Sequence, residues 1–166
     1  MIKKSIIYII NAIFIFVFVC AGGIFAGHLT GYKPYVVLSG SMEPNIHVGS
    51  LAVVNTHYNY DDVKVEDIIA YETPTSIAVT HRVINIEDGV LETKGDNNDV
   101  SDGFTTNKDN FLGLTLFSIP FAGYVLSFIS TTRGLILTAI ALISLLIIEE
   151  MVKITMKKEN TNETIE

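Results

Sequence analysis

Residues 36–48 read VVLSGSMEPNIHV and set Ser39 and Ser41 between an apolar segment and a turn marked by Gly40 and Pro44. A hydroxyl at the tip of a tight turn off a rigid strand is well placed to meet a substrate, but serine is a weak nucleophile until a positioned base takes its proton. Four histidines could serve, at positions 28, 47, 57 and 81. His28 adjoins a long apolar run, and His47 and His57 lie in turn-like or polar loop contexts. His81 sits in a strand-like segment between Thr80 and Arg82. Further along, residues 94–102 read KGDNNDVSD and carry Asp96, Asp99 and Asp102 in a loop rich in Gly and Asn. One of these carboxylates could hold an imidazole in the tautomer that accepts a serine proton. The same oxygens could instead surround a calcium ion, although the loop lacks the Gly and terminal Glu spacing of an EF-hand.

The elements that must position these groups are short. Segments rich in Val, Ile and Tyr, separated by Gly, Pro, Asn and Asp, predict strands over residues 35–38, 51–55, 68–72, 77–86, 90–93 and 111–117. In the fourth, Ile77, Val79, His81, Val83 and Asn85 share one face. Glu87, Asp88 and Gly89 then turn the chain into Val90, a hairpin signal. The middle of the chain therefore reads as mostly antiparallel β.

Apolar runs flank it. Residues 6–25 are apolar except for Asn11, a length of 20 residues that crosses a hydrocarbon core of about 30 Å as a helix. The run exceeds the 7 to 15 apolar residues usual in a cleaved signal peptide, which favours a retained anchor. Residues 134–148 form a second run of 15, short for a crossing unless residues 127–132 extend it. Lys3 and Lys4 precede the first run and Lys153, Lys157 and Lys158 follow the second, so the positive-inside rule places both ends in the cytoplasm. The expected organisation is an anchor helix over residues 1–30, an extracytoplasmic β domain over 31–130, a second transmembrane helix over 131–152 and a cytoplasmic tail over 153–166. The polar end, residues 159–166, reads as disordered.

Composition fits this division. The 166 residues are 49% hydrophobic and 17% charged, with a mean hydropathy of +0.42, too apolar for an ordinary soluble domain. Residues 31–130 hold five basic and thirteen acidic residues, a net of −8, which leaves +1 for the remainder of a chain that sums to −7. That balance argues against nucleic acid as a partner. The single cysteine, Cys20, excludes an internal disulfide and a thiolate metal cluster.

In order and spacing, the apolar anchor, SGSMEP at 39–44, THRV at 80–83 and TKGDNNDVSD at 93–102 resemble the type I signal peptidases of the endoplasmic-reticulum and archaeal kind, also found in endospore-forming bacteria, the Ser-His-Asp branch of peptidase family S26. The resemblance implies a signal-peptidase-like antiparallel β catalytic domain flanked by N-terminal and C-terminal transmembrane helices. It implies Ser41 as nucleophile, because the family's serine immediately precedes Met, and His81 as general base. It matches Asp96 and Asp102 to the family's two functional aspartates, with Asp102 orienting His81 and Asp96 shaping the site. It also makes Ser39 and the backbone N–H of Ser41 the oxyanion hole. The implied reaction is removal of signal peptides from secretory preproteins at small-x-small sites, with no metal or organic cofactor, at a membrane lipid surface and in association with the translocation machinery.

Two short stretches depart from the family pattern: Gly49-Ser50 stands where Gly-Asp is usual, and Glu66-Asp67-Ile68-Ile69 where Gly-Asp-Ile-Ile is usual. One alternative is a catalytically inactive membrane-anchored binding or assembly domain of the same fold, against which the intact Ser41, His81, Asp96 and Asp102 speak. Another is a self-cleaving repressor, which uses a lysine base in a soluble DNA-binding protein.

Overall fold

A computed structural model describes residues 2–163, with side chains through residue 158. The chain forms two compact units: the residues up to Phe25 together with those from Phe128 onward, and Ala26–Ser127.

The first unit is helical. Helix α1 (Ile2–Leu29) and helix α3 (Thr132–Glu163) contain windows of mean hydropathy 2.5 and 2.4, and both are long and apolar enough to cross a membrane. Their apolar side chains are largely exposed, Phe18 at 80% and Leu135 at 61%, rather than packed into a protein core. A groove lined by Lys3, Ile148, Met151, Val152 and Thr155 brings the start of α1 beside α3.

Two expectations are corrected at α3. The short second run gains only Thr132 and Arg133 at its N-terminal side, not the whole of residues 127–132: Thr131 accepts the Gly134 N–H through its Oγ1 at 3.0 Å and caps α3 there. The extra turns lie on the other side, where the helix continues past Ile148 and the candidate span reaches Lys158. The polar end expected to be disordered is helical as far as Glu163, and residues 164–166 lie outside the described residues.

The second unit is built on one six-stranded antiparallel sheet: β1 (Tyr32–Val36), β2 (Leu51–Asn55), β3 (Ile68–Glu72), β4 (Ala78–Glu87), β5 (Val90–Lys94) and β6 (Phe111–Ile119), in the order β1-β2-β6-β3-β4-β5. Two strands match the sequence reading residue for residue, β2 and β3, whose apolar runs are bounded by polar residues on both sides. β1 starts three residues earlier than expected and ends two earlier. Lys33 and Pro34 disguise it, but β1 is an edge strand with one ladder only, where a proline is tolerated. The connection after β6 holds a helix the sequence reading lacked, α2 (Ala122–Ser130).

β3 is central and buried on both faces, with Ile69 and Tyr71 fully buried and Ala70 at 1%. Ile69 and Tyr71 belong to a core with Tyr60, Val63, Val83 and Leu91. Tyr60 and Phe111 meet edge to face at 5.4 Å, and Tyr71 and Phe104 at 5.7 Å. A tyrosine buried this deeply must find a partner for its hydroxyl. The Tyr60 hydroxyl lies 2.9 Å from the carbonyls of Gly89 and Thr106.

Candidate active site

Ser41 follows β1 in a turn closed by the Glu43 N–H to Gly40 carbonyl bond at 3.1 Å and the Ile46 N–H to Met42 carbonyl bond at 2.8 Å. Met42 and Ile46, 2% and 4% exposed, anchor the turn in the domain, while the side chains of Ser39 and Ser41 stay near its surface. The turn is also gripped from the loop after β5: the Asn97 N–H donates to the Ser41 carbonyl at 2.8 Å. Gly95 makes that approach feasible, since a Cβ there would stand 2.6 Å from the Ser41 carbonyl oxygen.

His81 lies in the middle of β4, opposite Ile69 of β3, and is 7% exposed. Asp102 comes from the loop after β5. That loop folds back onto its own strand: Asp102 N–H donates to the Thr93 carbonyl at 2.8 Å, and Leu91 and Thr106 pair through both their N–H groups at 2.8 and 2.9 Å. The carboxylate is thereby fixed beside the imidazole.

Three side chains consequently form a relay. His81 Nε2 lies 3.0 Å from Ser41 Oγ, and His81 Nδ1 lies 2.8 and 3.0 Å from the two oxygens of Asp102. An ionised carboxylate only accepts, so Nδ1 carries the proton and Nε2 offers its lone pair to the serine hydroxyl. Burial alone would raise the Asp102 pKa, but hydrogen bonds from His81, Thr93 and Tyr71 outweigh it and hold the carboxyl below the usual range. Ser39 Oγ stands 3.3 Å from Ser41 Oγ.

Asp96 is placed differently. It makes a two-pronged pair with Arg82, Nε to Oδ1 and Nη2 to Oδ2, both 2.8 Å, and accepts the Asn45 amide at 2.7 Å. The Arg82 hydrogen bond is the main reason its pKa lies below the ordinary aspartate value. Asp96 therefore ties the loop after β5 to β4 and, through Asn45, to the turn of Ser41, without touching His81. Among the described residues no three His, Cys, Asp or Glu side chains are grouped so as to hold a metal ion.

Sequence reasoning passed over Tyr71 and left the side chains of Thr93, Arg82 and Asn45 without roles. Tyr71 alternates with Ile69 on β3, so its spacing reads as ordinary core. The signal available was a tyrosine on the inward face of a strand, whose hydroxyl needs a buried acceptor. That acceptor is Asp102, 2.7 Å away.

A family model described as signal peptidase, peptidase S26, matches residues 6–105, more than half of the chain. The signal peptidase complex catalytic subunit SEC11 of Lodderomyces elongisporus is 38% identical over 112 residues, covering 59% of this chain and 66% of that protein. Signal peptidase I W of Bacillus subtilis is 35% identical over 95 residues, covering 54% and 50%. SEC11C of Canis lupus familiaris is 35% identical over 103 residues, covering 54% and 53%. This chain thus spans half to two thirds of the length of these relatives. The matched segment contains Ser41, His81, Asp96 and Asp102 and the six residues from Ser39 to Pro44, and on that match the chain belongs to the signal peptidase family, peptidase S26.

Proposed function

We propose that the chain is a membrane-bound serine endopeptidase that removes signal peptides from exported preproteins, cutting after small residues at the first and third positions before the scissile bond. The observation that carries this reading is the hydrogen-bonded relay from Ser41 through His81 to Asp102 in a member of this family.

Ser41 Oγ attacks the scissile carbonyl as His81 Nε2 takes its proton. Asp102 accepts the Nδ1 hydrogen and stabilises the imidazolium that forms. His81 then delivers the proton to the leaving amine, and water, activated by the same nitrogen, releases the acyl-enzyme. The Ser41 N–H makes no hydrogen bond among the described residues and, with the Ser39 hydroxyl, serves the developing oxyanion. Asp96 acts on the shape of the site by tying the Ser41 turn to β4. An extended substrate lies beside a strand, with shallow pockets that admit only small side chains.

The two apolar helices and the charge distribution support a membrane setting. Both helices cross the cell membrane, the acidic β domain stands on the extracytoplasmic side, and the substrate arrives from the translocation machinery. Relatives named as subunits of a signal peptidase complex support a working association with other proteins.

The test is cleavage of a preprotein bearing an Ala-x-Ala site by the full chain in detergent, beside Ser41→Ala and His81→Ala. The full chain should cut once, after the second Ala, and both variants should lose about ten-thousand-fold in rate or more while staying folded. No cut at that site by the full chain contradicts the proposal.

A further inference from the structure

Tyr71 is fully buried in the middle of β3, its ring packed edge to face against Phe104 and, at 6.3 Å, against His81. Its hydroxyl reaches past the core to Asp102. Oδ2 of that carboxylate takes three donors at once: Tyr71 Oη at 2.7 Å, Thr93 Oγ1 at 2.6 Å and His81 Nδ1 at 2.8 Å. Oδ1 meets His81 Nδ1 alone, at 3.0 Å. Tyr71 Oη also lies 3.3 Å from His81 Nδ1, but both are donors here, so the pair competes for the carboxylate rather than bonding to each other.

We propose that Tyr71 is a positioning residue that acts through Asp102: with Thr93, its hydroxyl draws charge from the carboxylate and so sets how far the pH can fall before the histidine base is lost. This rests on the reading of Ser41, His81 and Asp102 as the reacting set. Charge engaged by two neutral hydroxyls is less available to stabilise an imidazolium than charge on a carboxylate without them. Tyr71 is a permanent donor in this arrangement, because burial and the neighbouring Asp102 carry its phenol above the ordinary range.

The charged and titratable groups around His81 come from every neighbouring element. Tyr71 faces it from β3 and Asp102 from the loop after β5, with Ser41 Oγ on its other nitrogen. Asp96 acts on it only at longer range, and its charge is matched by Arg82 of β4. Among these, Tyr71 and Thr93 are the groups whose removal changes Asp102 without touching the serine.

The measurement is kcat/KM against pH for the full chain in detergent, with Ser41→Ala as the inactive control. In Tyr71→Phe the acid limb should move to higher pH by about half a unit to one unit, a three- to tenfold loss below the limb that shrinks toward alkaline pH. Thr93→Val should move it the same way, and Thr93→Ser, which keeps the hydroxyl, should restore the parent profile. A residue that only fills the core would lower activity by the same factor at every pH. If Tyr71→Phe does not fold, Thr93→Val and Thr93→Ser carry the comparison. An acid limb that stays in place in the hydroxyl-deleted variants, with Ser41→Ala inactive, overturns the role of Tyr71 alone. An active Ser41→Ala, or a parent enzyme with no acid limb, overturns the underlying relay as well.

Discussion

Asp96 and Asp102 stand six residues apart in one loop and are both held below the ordinary aspartate range, but by different partners. Asp102 faces an imidazole, Asp96 a guanidinium. Substitution should separate them. Asp102→Asn leaves the loop's shape nearly intact but presents His81 with an amide, which favours the wrong tautomer; kcat should fall about ten-thousand-fold in the preprotein assay. Asp96→Asn breaks the pair with Arg82 and should show mainly as a stability loss on the order of 2 kcal/mol at neutral pH in denaturant titration. The pH dependence has a definite sign. A carboxyl whose folded pKa is lowered adds stability above its unfolded value, near pH 4, and loses it as pH falls through the folded value. The stability difference between the parent and Asp96→Asn should therefore shrink below about pH 4, and a difference that is constant down to pH 2 would contradict the Arg82 pairing.

At the level of elements, the departures from the family pattern have a structural consequence. Glu66 stands where glycine is usual and has φ of 80°, a left-handed conformation that disfavours a side chain. It cannot relax, because its N–H donates to the Val83 carbonyl at 2.9 Å and its own carbonyl accepts from Arg82 Nη1 at 2.8 Å. Glu66→Gly should stabilise the protein by about 0.5 to 1 kcal/mol, raising the melting temperature by a few degrees. An unchanged or lower melting temperature would contradict this account of strain. Ser50, where aspartate is usual, is 1% exposed and its Oγ finds no partner among the described residues.

Strands with polar boundaries were legible in the sequence because short apolar runs between turn residues leave few alternatives, as at β2 and β3. β1 was displaced because Lys33 and Pro34 are tolerated only at an edge, and edge position is a property of the sheet rather than of the run. α2 was missed because its uncharged, apolar residues resemble either a strand or part of a span, and the Thr131 cap that separates it from α3 is one residue long. The motif serine, histidine and aspartates are conspicuous as residue types in short, unusual strings. Tyr71 is not, because an inward tyrosine on a buried strand has the pattern of any core residue until its hydroxyl partner is located.

On the scale of the whole molecule, the hydrophobic excess lies largely in α1 and α3, while the sheet domain carries most of the acidic residues. In the proposed arrangement the helices fix where the serine can act. The sidedness is measurable in sealed vesicles. Protease added from the extracytoplasmic face should digest the segment between the spans and leave the Lys-rich ends protected; the reverse pattern would contradict the topology. The central claim is chemical, and the side-by-side cleavage of one Ala-x-Ala preprotein by the full chain and by Ser41→Ala tests it most directly. The account predicts a single cut by the full chain and none detectable from a Ser41→Ala protein with the same melting temperature. Cleavage by Ser41→Ala at the parent rate would contradict it.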